Sequence, residues 1–198
     1  MAGDGPFGLL PRLSAKEDAQ PFVERLVGRF MGANHRKGKS YTWILDHLRD
    51  GNRKLSPRSL VRLVEEAAAV ESDRPRAEGV NLLHPTSLRS ALDRVSEVHV
   101  EGAKGDLPWL HGLRERLQER WEVPWIRRDL ERLLGKRFDE DWGGAGAEVH
   151  PPAANPRELV DHLLDLGIFR ERTEERCDVP DLYLKGLGLV RRGGVGRG

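Results

Sequence analysis

The stretch Ala33-Asn34-His35-Arg36-Lys37-Gly38-Lys39-Ser40 comes nearest to a chemical signature in this chain. It fits a loose phosphate-loop pattern in which alanine replaces the first glycine. In such a loop the lysine reaches phosphate oxygens and the serine hydroxyl holds magnesium. The chemistry also needs a buried strand that delivers the loop, backbone amides that converge on the anion, and a helix that starts directly after the Lys-Ser pair. The sequence ahead of the loop argues against the first requirement. Phe22, Val23, Leu26, Val27, Phe30 and Met31 recur at helical spacing, which predicts an amphipathic helix ended by Gly32. His35, Arg36 and Lys37 occupy positions where small residues let the backbone curl around phosphate. No apolar strand ending in aspartate comes later in the chain to supply a magnesium ligand. The stretch is therefore read as a basic loop, with Lys39 and Ser40 as its candidate nucleotide contacts.

A second group of cations lies towards the other end: Arg170, Arg172 and Arg176, then Lys185, Arg191 and Arg192. Arginines and lysines of this kind could contact the phosphates of a nucleic acid. They are interleaved with Glu171, Glu174 and Glu175, which would repel the same phosphates. The seven histidines are scattered without the tight spacing of a metal site, so no metal ligand is assigned. Asp139, Glu140 and Asp141 read as a solvated helix end beside Trp142. Trp109, Trp121, Trp125 and Trp142 read as packing residues. Cys177 has no neighbouring base to make it a nucleophile.

The elements that must position these residues are mostly helices. Ser14 and Glu17 have capping-box spacing, and Pro21 restarts or kinks the helix they open. Tyr41 to Arg49 predicts a short helix with Trp43, Ile44 and Leu48 inward, closed by the turn Asp50-Gly51-Asn52. Ser56-Pro57 opens the next, with Leu60, Val61, Leu63, Val64, Ala67 and Ala68 inward. Residues 71–80 read as a loop. Further helices are predicted over Ser87–Val100, Pro108–Arg120 and Pro124–Leu134, the last with Ile126, Leu130, Leu133 and Leu134 inward. Residues 143–154 are rich in Gly, Ala and Pro and read as a flexible loop. Asn155-Pro156-Arg157-Glu158 is a cap, a proline and a closing glutamate, and Gly167 stops the helix it opens. Ile168–Arg172 and Cys177–Val179 are strand candidates. The fold class expected is all-α with a small β-hairpin, a helical lid-like part followed by a winged helix. The divisions are a flexible lead-in over 1–13, a helical domain over 14–105, a winged-helix-like domain over 106–190 and a basic, frayed tail over 191–198.

Composition narrows the function classes. The chain has 198 residues with 33 Lys+Arg against 32 Asp+Glu, a formal charge of +1. That balance excludes a chain-wide basic field, so any nucleic-acid contact has to be local. One cysteine fits a reducing compartment. The apolar runs fall far short of the ~20 residues that span a bilayer. The start, MAGDGPFGLLPRL, lacks a signal-peptide pattern. A cytoplasmic, membrane-free protein is expected.

The stretch from Phe22 to Ala69 carries Met31-Gly32-Ala33-Asn34, Gly38, Tyr41-Thr42-Trp43, His47-Leu48-Arg49-Asp50 and Ser56-Pro57-Arg58-Ser59-Leu60. It resembles the region after the nucleotide-binding core in large bacterial P-loop ATPases of the STAND and KAP types. The ending Val179-Pro180-Asp181-Leu182-Tyr183 with Arg191-Arg192-Gly193-Gly194-Val195 also resembles the end of those proteins. The resemblance implies that Arg58 matches a lid arginine sensing the γ-phosphate, at a helix start where a cation is locally unfavourable and an anion would compensate it. The core with its phosphate loop, magnesium-binding acid and sheet has no counterpart here. The first reading is thus a non-catalytic regulatory or interaction module that binds a protein partner and contacts nucleotide held elsewhere. No cofactor of its own is expected, ATP and magnesium entering only with a core supplied by another chain. The second is a winged-helix nucleic-acid-binding protein using Arg170, Arg172, Arg176 and the basic tail. The third is a small NTPase using the 33–40 loop.

Overall fold

The computed structural model describes residues 16–73, 81–143, 148–173 and 175–192. The lead-in, the Ser14 cap, Pro75 and Gly79, Glu174, residues 144–147 and the tail from 193 onward lie outside these. Within them the protein is mainly helical, with a few short strands in two small sheets.

Helix α1 (Lys16–Val27) carries Pro21 inside it. It ends five residues before the Gly32 stop that periodicity predicts. Gly28 takes a positive φ of 93°, a left-handed turn that glycine adopts without Cβ strain. Phe30 then pairs antiparallel with Lys39, closing a loop that feeds directly into α2 (Ser40–Leu48). Phe30 and Met31, whose spacing continues the helical stripe, therefore serve a loop base instead. Met31 is fully buried there.

Helix α3 (Pro57–Ser72) begins at the predicted Ser56-Pro57 step, although the Ser56 side chain makes no cap bond. Its inward stripe is Ser59, Leu63 and Ala67, while Val61 is 57% exposed and Ala68 is also exposed. Val61 and Ala68 thus face out, against expectation; the stripe packed on the next helix is narrower than the apolar content suggests. That partner is α4 (Pro85–Ala103), longer at both ends than predicted. The His84 side chain accepts from the Thr86 amide and so caps it. Leu88, Ala91, Leu92, Val95 and Val100 are buried along it. The larger of these side chains each contribute about 1.5–3 kcal/mol on burial, which is why this pair anchors the first half.

Helix α5 (Leu110–Leu117) buries Leu110, Leu113 and Leu117, as its spacing predicts. Two-residue strands β1 (Glu122–Val123) and β2 (Trp125–Ile126) come next, and only then α6 (Arg127–Gly135). The helix predicted from Pro124 thus starts three residues late, and Ile126 is 50% exposed on a strand. Arg116 reaches from α5 under the chain after α6. Its guanidinium donates to the carbonyls of Gly112 and Arg137 and lies over the Trp142 ring, 3.8 Å from the centroid. Helix α7 (Pro156–Asp165) opens on the predicted box. The Glu158 amide donates to Asn155 Oδ1 at 3.0 Å, and the Glu158 carboxylate accepts from Asn155 Nδ2 and the Ala154 amide.

Gly167, at φ 72°, ends that helix and leads to β3 (Arg170–Thr173) and β4 (Arg176–Asp178). Strand β2 joins them in an antiparallel sheet of order β2-β4-β3, with Trp125 opposite Cys177. The short helix α8 (Asp181–Leu184) and strand β5 (Val190–Arg191) complete the described chain. Strand β5 pairs in parallel with β1, Glu122 facing Val190. Arg191 is therefore not part of a frayed tail.

One continuous cluster of buried apolar residues runs from Val27 to Leu189 and crosses the boundary expected near residue 105. Close backbone approaches at two glycines join the halves. The Gly51 amide donates to the Gly167 carbonyl at 2.7 Å, and a Cβ on Gly51 would lie 1.9 Å from the Phe169 carbonyl oxygen. Gly186 packs on α4, its amide donating to Ser96 Oγ at 3.0 Å.

Candidate functional site

The 28–40 loop is built from its own backbone. The Met31 amide donates to the Gly38 carbonyl at 2.9 Å, and the Ser40 amide to the Arg29 carbonyl at 3.1 Å. At the tip, Asn34 caps a single 3-10 turn over His35–Lys37: its Oδ1 accepts from the Arg36 amide and its carbonyl from the Lys37 amide. The Gly38 amide donates to the His35 carbonyl. Five amides of the loop are thus committed internally, and none of these five is left to converge on a phosphate. The Ser40 side chain is buried and its hydroxyl donates to the Gly28 carbonyl. A helix does start right after Lys39, as a phosphate loop requires, but a helix and a bridge feed the loop rather than a sheet strand.

What the loop offers outward is charge. Residues 32–39 are all exposed, and Arg29 and Arg25 beside them are exposed too. Between Arg25 and Leu45 there is no Asp or Glu in the sequence. Among the described residues, Arg25, Arg29, Arg36, Lys37 and Lys39 enter no ion pair. Arg29 lies over the Phe30 ring, 5.4 Å from its centroid.

Arg58 stands in the first turn of α3, exposed, with no acidic residue in that turn and no carboxylate partner among the described residues. It is not brought together with Lys39 or Ser40 by any contact among the described residues.

The C-terminal cations have a different fate. Asp178 is fully buried at the end of β4 and gathers three arginines. Arg170 Nη2 lies 2.7 Å from its Oδ2, Arg172 Nε 2.9 Å from the same oxygen, and Arg191 Nη1 2.7 Å from Oδ1. Burial pushes this carboxyl up, but the hydrogen bond from Arg170 and the charges of Arg191 and Arg170 outweigh it, holding it below the usual carboxylate range. Arg191 also binds Asp181 at 2.9 Å. Arg192 sits 3.6 Å from Glu122. Of the arginines expected to face nucleic acid, only Arg176 is exposed without an ion pair among the described residues. The exposed side chains of α7 are Arg157, Glu158, Asp161 and Asp165, a net negative face. Arg127, which the sequence did not single out, bridges Asp161, Glu131 and Glu171. Sequence order could not reveal the Asp178 cluster, because its members come from three strands.

Lys185 and Arg191 line an open cleft of about 260 Å³ with Trp43, His47, Arg89 and Asp181. His47 stacks on Trp43, ring centroids 4.2 Å apart, and its Nδ1 lies 2.8 Å from the Trp43 carbonyl. Its Nε2 faces Asp181 at 3.7 Å. Arg89 donates to the Met31 carbonyl and so ties α4 to the base of the basic loop. Cys177 is buried and its thiol is pushed up to about 11 by burial, which makes it a packing residue. Among the described residues no cluster of His, Cys, Asp and Glu could hold a metal ion, and no helix is long and apolar enough to cross a membrane.

Comparison with protein-family models, with curated proteins and with solved structures gave no match.

Proposed function

We propose that this chain is a non-catalytic regulatory module of the P-loop ATPase type, which docks on a nucleotide-holding protein partner and presents Arg58 to the bound phosphates. The observation that carries this reading is Arg58 itself: exposed, unpaired among the described residues, and placed at a helix start that already carries positive partial charge. A guanidinium there gains from an anion that the described residues do not supply. The 33–40 loop supports the same reading from the other side, because the amides of Arg36, Lys37, Gly38 and Ser40 and the Ser40 hydroxyl are spent internally. ATP with magnesium would then belong to the partner's core. A lone buried cysteine fits a cytoplasmic setting.

The C-terminal part is read as a winged helix. The order α5, β2, α6, α7, β3, β4 with a sheet of order β2-β4-β3 supports this, the β3-β4 hairpin being the wing. Its acidic α7 face and the pairing of the wing arginines Arg170 and Arg172 with Asp178 favour protein contact over groove reading, since affinity for DNA depends on neutralising phosphate.

The test is ATP turnover by a P-loop core that binds this chain, measured with the wild type and with Arg58→Ala. Turnover that drops at least tenfold, with the association intact, supports the proposal; turnover that stays unchanged rejects it. Magnesium-ATP binding by the isolated chain that Lys39→Ala abolishes would instead favour the small NTPase.

A further inference from the structure

We propose that the 25–39 segment is a sequence-independent nucleic-acid contact, which binds the phosphate backbone through side chains alone. Three observations lead there. Arg25, Arg29, Arg36, Lys37 and Lys39 lie on one exposed segment, and no Asp or Glu occurs from residue 25 to residue 45. The carboxylates that border this stretch in sequence are Glu24, which accepts from Gln20 at 2.9 Å, and Asp46, which is paired with Arg49. In a chain of net charge +1 this concentration is local, and the rest of the surface is correspondingly laced with ion pairs. Secondly, the loop is a fixed projection, closed at its base by the Phe30–Lys39 bridge and at its tip by the Asn34 cap. Ordering it on a ligand therefore costs little. Thirdly, the amides of Met31, Arg36, Lys37, Gly38 and Ser40 are committed inside the loop.

The third observation selects the ligand. A single nucleotide is held by amides and cations that converge on its phosphates. Here the exposed cations are spread over a segment of fifteen residues, 25–39, which suits phosphates spaced along a polymer. Contacts to phosphate position a protein without reading sequence. Contacts made by such arginines and lysines to phosphates carry no base information, so the binding is expected to have no sequence preference. Half-buried Phe30 and Tyr41 flank the loop and give a single strand a surface on which to stack. The contact is thereby moved from the wing, where Asp178 holds Arg170 and Arg172, to the opposite end of the sequence.

The experiment is fluorescence anisotropy of the full chain with a labelled duplex of about 20 base pairs and a labelled single strand, over roughly 50–200 mM salt. Five phosphate contacts give a slope of log affinity against log salt of about −4.5 on duplex, or about −3.5 on a single strand. The triple variant Arg36→Ala, Lys37→Ala, Lys39→Ala is expected to make the slope shallower by about 3 on duplex and to weaken binding at the lowest salt at least tenfold. The control Arg157→Ala with Arg176→Ala, on α7 and the wing, is expected to change affinity less than threefold. Circular dichroism verifies that each variant is folded, and the three single variants, each expected to take about 1 off the slope, serve if the triple one is not. The proposal is overturned if the control and not the loop variant abolishes binding, if the loop variant leaves the slope unchanged, or if neither nucleic acid binds at the lowest salt. An Arg58→Ala variant with unchanged binding keeps this outcome separate from that of the ATPase assay.

Discussion

Asp178 shows how one residue can reassign several others. Its buried carboxylate takes Arg170, Arg172 and Arg191 out of the pool of surface cations. Replacing it by asparagine leaves three guanidiniums converging on a neutral amide. Asp178→Asn is expected to cost about 2–4 kcal/mol in urea unfolding, below the full value for a buried pair because the arginines stay partly hydrated. The pH dependence has a definite sign. The folded pKa of Asp178 lies below its ordinary value of 3.8, so the unfolded chain binds more protons in acid. The stabilisation is fully present above the unfolded value and is lost as pH falls through the folded one. Asp178→Asn should therefore flatten the acid limb of a stability–pH curve, and an unaltered limb would argue against the cluster. Arg58 behaves oppositely. With no anion present, Arg58→Glu should raise the melting temperature by about 1–3 °C, because a carboxylate suits the helix start better.

At the scale of elements, the decisive features are turns that dock. The Asp50-Gly51-Asn52 turn is legible in the sequence as a turn, but not as the surface on which the α7–β3 corner rests. Its Asn52 Nδ2 donates to the Asp165 carbonyl at 2.7 Å, beside the Gly51–Gly167 hydrogen bond. A methyl group on Gly51 would collide with backbone that cannot swing aside. Gly51→Ala should then destabilise by about 1–3 kcal/mol, read as a shift in the urea midpoint. Lys39→Ala, an exposed side chain at the start of α2, should stay within about 0.5 kcal/mol of wild type. A large loss from Lys39→Ala would show that the loop depends on its lysine for structure.

At the scale of the molecule, the continuous core sets cooperativity. Helix α4 packs on α3 in the first half and receives Gly186 and α8 from the second. The two parts should therefore unfold together. Tryptophan fluorescence, to which the second half contributes four of the five tryptophans, should trace the same urea transition as far-UV circular dichroism. Two separated transitions would show that the parts are independent domains.

Local pattern determined the helices whose apolar residues form one clean stripe and whose ends carry their own signals. The box at Asn155–Glu158, the Ser56-Pro57 start, the Gly167 stop and the leucines of α5 could be read because each depends only on neighbours in sequence. The mainly helical character with a small hairpin came from these. The basic loop was legible as charge, since charge is a property of composition. What the chain's own order could not decide is which polar groups meet. The Phe30–Lys39 bridge cuts a helical stripe short, a parallel strand reaches Arg191 where a loose end is expected, and Asp178 selects three arginines from two other strands. Each of these is a pairing decided by backbone geometry and burial rather than by the residues next in line. Only the folded structure therefore separates the unpaired cations of the 25–39 segment from Arg170, Arg172 and Arg191, which are ion-paired with Asp178.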